Sequence, residues 1–480
     1  MNATPIHRMS AAELAHAIAA KTVSPVEAVR AILARIERAQ PILNAYITVA
    51  AETALDAARA AEARLMAGER LGPLHGVPFS VKDLLPTAGI RTTSGSLIFK
   101  DNVPKEDCLA VKRLKEAGAI LIGKTATPEF GHKGTTDAPL FGRTANAWDP
   151  TRSSGGSSGG AATAVMAGLG PLAVATDGGG STRIPAACNG AVGFKQSQGL
   201  VPHDQVPDVF NYLAYVTPMT RDVTDTALML EAMAGPDACD PHSLFAPRGD
   251  LVGVALRARE LRGVRIGIMP RFGDHAIDRE ALARFEDAAA VLRGLGAETR
   301  EMTYDLGAIE PFWLVITHAY WNARFGPHLA RHRAVMSPSL VGQLDAARDH
   351  SAAELQAALF ERSRIYRAVQ RWFESVDLVA TPTLTRTALP IDHDFFAPIE
   401  IEGRKTDTMR RAHYPYTLPF NLTGNPALSL ACGFHSDGLP LGLQLIGRRG
   451  EDAGVIAAAA AYERATPWHR RRPAIAGLED

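Results

Sequence analysis

The segment AVATDGGGSTRIP combines a hydroxyl group with a run of three glycines. An apolar stretch typical of a strand leads to Asp177, and Gly178, Gly179 and Gly180 separate that residue from Ser181. Glycines permit a tight turn and leave consecutive N–H groups unshielded, which suits the binding of an oxyanion. A serine at the end of such a turn could attack a carbonyl carbon held there. The pattern fits a tight turn with a solvent-exposed serine equally well, so it leaves both interpretations open.

A second segment, RSSGGSSGGAATAVMAG, has the composition of either a flexible linker or an active-site wall. It contains the pattern Gly-x-Ser-x-Gly, which presents a nucleophile on a sharp turn after a strand and would select Ser157. The preceding residues include Pro150 and several polar side chains, so no strand is predicted to lead into Ser157. We therefore reject the nucleophile-elbow interpretation, and the choice between linker and wall depends on the rest of the chain.

A third segment, GAILIGKT (residues 118–125), matches the phosphate-binding pattern G-x-x-x-x-G-K-[ST]. In a phosphate-binding loop the four residues between the glycines form a turn, and a helix begins at the lysine. Here these residues are Ala-Ile-Leu-Ile, which favour a buried strand, and Pro128 follows too soon for a helix from Lys124. The segment is therefore predicted to be a strand and a turn, and not an ATPase or GTPase site.

The segments GVPFSVKDLL, GGSSGGAATAVMAG and ATDGGGSTRIPA occur in an order and at spacings that resemble the Ser/Gly-rich signature of the amidase signature family. Further similar segments, from LHGVPFSVKD to GLPLGLQLIG, extend the resemblance over most of the chain. The resemblance implies that Ser181 is the nucleophile, Ser157 the bridging serine and Lys82 the terminal base. It also implies oxyanion donors in Gly178–Ser181 and a cis Gly156–Ser157 peptide bond. The resemblance therefore favours an active-site wall over a flexible linker for the segment RSSGGSSGGAATAVMAG.

Some positions depart from the family pattern. Gln196, Ser197 and Leu200 stand where Pro, Thr and Arg are common, so we make no prediction for the path of that loop. Asp177 and Arg183 match family positions, and we expect them to brace the glycine run rather than to contact the substrate.

Lys82 can act as a base only when its amine is neutral, whereas a free lysine with a pKa of about 10.4 is protonated at neutral pH. The alternation in GVPFSVKDLL places Ser80 and Lys82 on one face and Val81 and Asp83 on the other, so the neighbouring carboxylate is not expected to pair with the amine. Burial among apolar groups is expected to lower the pKa of Lys82.

The resemblance implies an amide hydrolase that needs no metal and no organic cofactor. We expect the segment EFGHKGTTD and the aromatic stretch 312–325 around the substrate, with Gly131 and His132 near the scissile group and Gly156 as a further contact. An aromatic pocket favours a hydrophobic or aryl amide, and aryl carbamates offer the same carbonyl geometry. The alternative is that these aromatic side chains belong only to the core.

Two other functions stay open. One is the glutaminase A subunit of a tRNA-dependent amidotransferase, which would require polar groups for glutamine where this chain has the aromatic sequence FWLVITHAYWNARFGPHL. The other is an inactive family member that serves as a binding scaffold, against which the intact Lys82, Ser157 and Ser181 argue. Turnover of an anilide by the pure protein distinguishes the three.

The elements that must position these residues alternate between strands and helices. Apolar stretches predict strands at residues 45–50, 76–85, 263–270 and 377–383 and at the pair ALSLACGF and GLQLIG, with helices at 52–66 and 279–293 between some of them. This alternation predicts an α/β fold with a mixed central sheet between helices. We expect one domain over residues 1–480, with the signature core at about 76–200 and a less regular half at about 240–410.

Composition excludes several partners. Lys and Arg total 51 and Asp and Glu total 51, and because no long charged run occurs, neither nucleic acid nor an anionic membrane is expected to bind. We see no signal peptide or membrane span. The four cysteines are far apart, which favours reduced structural thiols in a cytoplasmic protein. The expected partner is a small amide substrate, and a homodimer stays open.

Overall fold

The apolar stretches form the strands of one mixed sheet. The computed structural model describes residues 4–245, 249–347 and 350–478. Its strands are β1 (Tyr46–Val49), β2 (Pro78–Lys82), β3 (Ile120–Thr125), β4 (Asp137–Ala138), β5 (Gly142–Arg143), β6 (Leu172–Asp177), β7 (Val192–Lys195), β8 (Tyr215–Thr220), β9 (Arg265–Ile268), β10 (Glu298–Glu301), β11 (Leu378–Pro382), β12 (Pro398–Ile401), β13 (Arg404–Thr408), β14 (Ala427–Phe434) and β15 (Pro440–Gly447).

Eleven of these strands form the central sheet in the order β1-β3-β2-β6-β8-β7-β14-β15-β11-β9-β10. Strands β3, β2 and β6 are parallel neighbours, as are β11, β9 and β10, and the other pairs are antiparallel. The hairpin predicted across Asp437 and Gly438 is formed by β14 and β15. The predicted α/β fold with a mixed sheet is thereby confirmed.

Helices pack against both faces of this sheet. They are α1 (Ala11–Ala19), α2 (Pro25–Leu43), α3 (Ala51–Met66), α4 (Leu109–Glu116), α5 (Gly159–Met166), α6 (Arg183–Asn189), α7 (Val223–Met233), α8 (Leu251–Arg257), α9 (Arg279–Gly294), α10 (Glu310–His332), α11 (Pro338–Ala347), α12 (Ala352–Trp372), α13 (Met409–Ala412), α14 (Leu418–Thr423) and α15 (Asp452–Ala465).

The alternation of side chains along β6 shows how the core is divided. Leu172 and Val174 join one apolar cluster, which also contains buried residues of α4, α7, α9 and α15. Ala173 and Ala175 join a second cluster with buried residues of α2, α3 and α5 on the opposite face. A third cluster is formed mainly by α10, α11, α12 and α14. Strand β6 is therefore buried on both sides, and its carboxyl end delivers the glycine run.

The phosphate-binding pattern folds as a buried strand, as predicted. β3 covers Ile120–Thr125, and all its residues are buried. The Lys124 amine donates hydrogen bonds to Thr87 Oγ1 at 2.7 Å and Thr92 Oγ1 at 3.0 Å, and a further one to the Leu85 carbonyl. Lys124 thus holds the loop after β2 and is not available to bind phosphate.

Much of the range 240–410, for which we expected less regular structure, is helical. Residues 279–372 contain α9, α10 and α12, and α12 begins at Ser351 with a capping box. The aromatic side chains and Pro327 of α10 obscured its helical period in the sequence. No helix in the described ranges is both long and apolar enough to cross a membrane. All four cysteines are unpaired thiols.

Candidate active site

Lys82 is the last residue of strand β2, which is the third strand from one edge of the central sheet. Val81 packs into the apolar cluster on one face, whereas the Lys82 amine contacts the start of α5 on the other, as the alternation predicted. Asp83 accepts the N–H of Thr93 at 3.0 Å and does not pair with Lys82. Lys82 is completely buried. Burial lowers the pKa of Lys82 well below its usual value, although the charge of Asp177 opposes this shift.

Three hydroxyl groups surround the Lys82 amine. Its Nζ atom lies 2.7 Å from Ser157 Oγ, 2.8 Å from Ser158 Oγ and 2.9 Å from Thr176 Oγ1. Ser158 donates its own proton to the Thr176 carbonyl at 3.1 Å, so it must accept from Lys82. The amine is placed to donate to all three hydroxyls. When it is neutral, its lone pair can accept the Ser157 proton while its two N–H groups still donate to Ser158 and Thr176. The site therefore accommodates the neutral form that a base requires.

The serine-rich segment forms a buried wall at the start of α5. Gly155 has a φ of +73°, and the Gly156–Ser157 peptide bond is cis, as expected. A Cβ atom on Gly156 would lie 2.6 Å from the Thr135 carbonyl oxygen, so no larger side chain fits there. Ser157 is 1% exposed. The segment before it makes only isolated bridges and no strand, which agrees with the rejection of a nucleophile elbow.

Ser181 follows the glycine run and precedes α6. Its backbone carbonyl accepts the N–H of Ser158 at 3.1 Å, which holds it beside the serine-rich wall. The side chains of Ser157 and Ser181 line the same cavity. Within the described residues no hydrogen bond joins the two hydroxyls, and contacts of this kind often tighten only when substrate binds.

The backbone amides of residues 178–181, which we call the oxyanion loop, do not all face the same way. The N–H of Gly180 donates to Asp177 Oδ1 at 2.7 Å. The N–H groups of Gly178, Gly179 and Ser181 have no hydrogen-bond partner in residues 4–245, 249–347 or 350–478, and these three residues line the cavity. Of the three glycines expected as oxyanion donors, Gly178 and Gly179 line the cavity with amides that are unpaired among the described residues, and the amide of Gly180 is occupied.

A buried ion pair braces this loop. Arg183 Nη2 lies 3.0 Å from Asp177 Oδ1, and both side chains are fully buried. Asp177 also accepts the N–H of Thr182 at 3.2 Å. Burial alone would raise the pKa of Asp177, but Arg183 and the hydrogen bonds outweigh it and hold the pKa well below its usual range. These contacts support the bracing role that we expected for Asp177 and Arg183.

Replacing Asp177 with asparagine is expected to destabilise the fold by about 3–5 kcal/mol, because Arg183 would keep a buried charge without its partner. The lowered pKa of Asp177 stabilises the wild type above the carboxyl's unfolded pKa of about 3.9, and this contribution is lost as the pH falls through the folded value. Denaturant unfolding at pH 7 and at pH 3 measures both effects. Equal unfolding free energies for wild type and Asp177→Asn at pH 7 would contradict the bracing role.

A cavity of about 630 Å³ opens in front of the serines. The two segments expected around the substrate both reach it, since its lining includes Phe130, Gly131 and His132 as well as Trp313 and Phe325. Trp313 and Phe325 are also almost completely buried, so they serve the core and the cavity together. Gly156, expected as a substrate contact, is not part of the lining and packs behind Ser157.

Gly131 and His132 differ in what they offer. A Cβ atom on Gly131 would lie 3.2 Å from Ser157 Oγ, which places this glycine directly against Ser157. The His132 ring contacts the Glu129 carbonyl and Ser339 Oγ, each at 2.7 Å. Burial, together with the charge of Lys133, lowers the pKa of His132 to about 3, so its ring is neutral at physiological pH.

The loop after β7 is held by the side chains that depart from the family pattern. The Gln196 side-chain amide donates to the Val216 carbonyl at 2.7 Å, and the Ser197 hydroxyl accepts the N–H of Gly450 at 2.8 Å. Leu200 is buried in the core. These three side chains anchor the loop, and none of them lines the cavity.

The chain as a whole is also similar to known proteins. A family model described as Amidase matches residues 27–456. The chain therefore belongs to the amidase signature family, whose members act on C–N bonds of amides.

Its relatives include both functions considered above. An acylamidase of Rhodococcus erythropolis is 36% identical, with 98% of each chain covered. The A subunit of the glutamyl-tRNA(Gln) amidotransferase of Moorella thermoacetica is 37% identical, with 98% of this chain and 99% of that protein covered. The solved structure of a bacterial aryl acylamidase superposes with a TM-score of 0.90 at 34% identity, covering 97% of this chain and 98% of that one. Identity alone therefore does not separate an acylamidase from a glutaminase.

Proposed function

We propose that this chain hydrolyses hydrophobic carboxylic amides, aryl amides above all, through an acyl-enzyme on Ser181. The observation that carries this proposal is the cavity in front of Ser157 and Ser181, whose walls are largely apolar and aromatic, with Lys82 buried behind Ser157. Cavities of this size and polarity bind small organic molecules. The names of the acylamidase and aryl acylamidase relatives support the same class of substrate.

The reaction follows from the positions of three side chains. Neutral Lys82 takes the proton of Ser157, Ser157 takes that of Ser181, and the Ser181 oxygen attacks the amide carbon. The unpaired N–H groups of the oxyanion loop stabilise the negative oxygen of the tetrahedral intermediate. The C–N bond then breaks as the proton returns to the leaving amine. Water attacks the resulting ester, which releases the carboxylic acid and restores Ser181.

A glutaminase of an amidotransferase is the second candidate, supported by the relatives of that name. Glutamine carries an ammonium and a carboxylate, so its pocket needs charged partners of both signs. Among the described residues that line the cavity, the only carboxylate is Asp208, which is exposed and accepts the N–H groups of Phe210 and Asn211. The lining offers Lys133, Arg324 and Arg410 to a carboxylate but only the exposed Asp208 to an ammonium, so it suits an amide without an ammonium group better than glutamine.

A substrate panel tests the choice. The pure protein, without ATP or a second chain, is expected to release amine from a hydrophobic anilide with kcat/KM at least about 100-fold above that for glutamine. Aryl carbamates should also be cleaved, short aliphatic amides slowly, and added chelator should change nothing. A preference for glutamine would establish the glutaminase instead. If no amide or carbamate is turned over, the remaining function is that of an inactive binding scaffold.

A further inference from the structure

Two side chains from distant elements form hydrogen bonds with backbone carbonyls of the oxyanion loop. The indole N–H of Trp313, on α10, donates to the Gly178 carbonyl at 3.1 Å. The hydroxyl of Thr417, immediately before α14, lies 2.7 Å from the Gly179 carbonyl and 3.1 Å from the Tyr414 carbonyl, and the shorter contact to Gly179 takes its single proton. Neither side chain belongs to the proposed proton relay, so these contacts need another explanation.

The planarity of the peptide bond gives these contacts a consequence at the cavity. In a trans peptide the carbonyl of one residue and the N–H of the next point in opposite directions. The Gly179–Gly180 peptide shows this directly, since its carbonyl accepts from Thr417 while its N–H donates to Asp177 at 2.7 Å. In the Gly178–Gly179 peptide, the hydrogen bond from Trp313 to the Gly178 carbonyl orients the Gly179 N–H away from the indole. That N–H is one of the unpaired amides of the oxyanion loop.

The fit of both side chains against the loop is tight. A Cβ atom on Gly179 would lie 2.9 Å from Cζ2 of Trp313, and one on Gly180 would lie 2.4 Å from Oγ1 of Thr417. Trp313 is 6% exposed and Thr417 is fully buried. The glycines are therefore required by the contact with these two side chains as well as by the turn.

We infer that Trp313 and Thr417 are positioning residues that fix the oxyanion loop in the orientation that stabilises the tetrahedral intermediate. Trp313 fixes the peptide that carries the Gly179 N–H, and Thr417 fixes the following peptide, whose N–H is bound to Asp177, so the Gly179 amide is already aligned before the reaction begins. Without them the peptide planes could rotate, and a carbonyl dipole could face the developing negative charge. This inference rests on the proposed acyl-enzyme on Ser181 and adds the residues that orient its oxyanion donors.

Thr417 offers the cleaner test because it does not line the cavity. Thr417→Val keeps the shape of the side chain and removes the hydroxyl, whereas Thr417→Ser keeps the hydroxyl. Thr417→Val is expected to lower kcat for an anilide by about 10- to 100-fold and to leave KM within about threefold, because the contact matters mainly in the transition state. Thr417→Ser should recover most of the loss.

Trp313→Phe tests the second contact from a different helix. Since Trp313 also lines the cavity, its matched control is Trp321→Phe, which removes an indole N–H from the same helix and cavity wall. Trp313→Phe is expected to lower kcat by about tenfold or more, whereas Trp321→Phe should act chiefly on KM. Titration with a fluorophosphonate normalises each rate to the concentration of folded, reactive enzyme.

The decisive readout is the affinity for a trifluoromethyl ketone, which forms a tetrahedral adduct with a serine and places its oxyanion in the hole. Its inhibition constant should rise in Thr417→Val and Trp313→Phe by the same factor by which kcat/KM falls. Unchanged kcat and unchanged ketone affinity in both variants, with an active wild type, would show that the contacts are only structural. An inactive wild type would instead refute the proposed function.

Discussion

Replacing Ser181 with alanine is expected to lower kcat/KM for an anilide by roughly four to six orders of magnitude, because it removes the hydroxyl that we propose forms the acyl-enzyme. Ser157→Ala should retain slightly more activity, since Ser181 and the oxyanion loop remain while the link to Lys82 is lost. Rates of amine release, with thermal unfolding of each variant, measure the effect.

Ser363→Ala is the matched control for this loss. Ser363 is exposed on α12, and its hydroxyl bonds only to the Leu359 carbonyl of its own helix. Its replacement should leave kcat/KM and the unfolding temperature unchanged. A Ser181→Ala enzyme that keeps more than about a tenth of the wild-type rate would remove Ser181 from the role of nucleophile.

Loss of the Lys82 amine is expected to be nearly as severe. Lys82→Met removes the base and should lower kcat/KM by about three orders of magnitude or more, and Lys82→Arg should be equally inactive because a guanidinium keeps its proton. In the wild type, kcat/KM should fall with decreasing pH as Lys82 becomes protonated. Because burial lowers its pKa, this fall should occur well below pH 10.5. The residual activity of Lys82→Met should not show this decrease with falling pH.

Small amines can separate a chemical role of Lys82 from a structural one. Lys82→Ala leaves a buried space next to Ser157, Ser158 and Thr176, which an alkylamine can enter. Propylamine should restore part of the activity, with a rate that follows the concentration of the uncharged amine. Alcohols of the same length serve as the control and should restore none. Rescue by the alcohol, or an active Lys82→Arg enzyme, would exclude Lys82 as the base.

Local patterns were sufficient to predict the parts of the site that lie close together in the sequence. An apolar stretch followed by Gly178–Gly180 and Ser181 specifies a strand, a turn and a hydroxyl, and the alternation in β2 specifies the face that carries Lys82. Amidase signature membership was likewise identified from motifs in order. These features depend on backbone geometry and side-chain period, which neighbouring residues determine.

Contacts between distant segments could not be predicted in the same way. Nothing near Trp313 indicates that its indole bonds to Gly178, because that contact requires α10 to cross the end of β6. The glycine run alone also makes its three amides look equivalent, although Asp177 occupies the N–H of Gly180. Ser158 and Thr176 were not expected as partners of Lys82, and only the second serine of the GGSSGG pattern hinted at one of them.

Peptide mapping after reaction with a fluorophosphonate shows whether Ser181 is the residue that carries the acyl group. Mass spectrometry of the digested protein should find one adduct per chain, on the peptide that contains Ser181, and none on Ser157 or Ser158. The adduct should be absent from Ser181→Ala, and its formation should parallel the loss of anilide hydrolysis. An adduct on Ser157, with Ser181 unmodified, would contradict the proposal that Ser181 is the nucleophile.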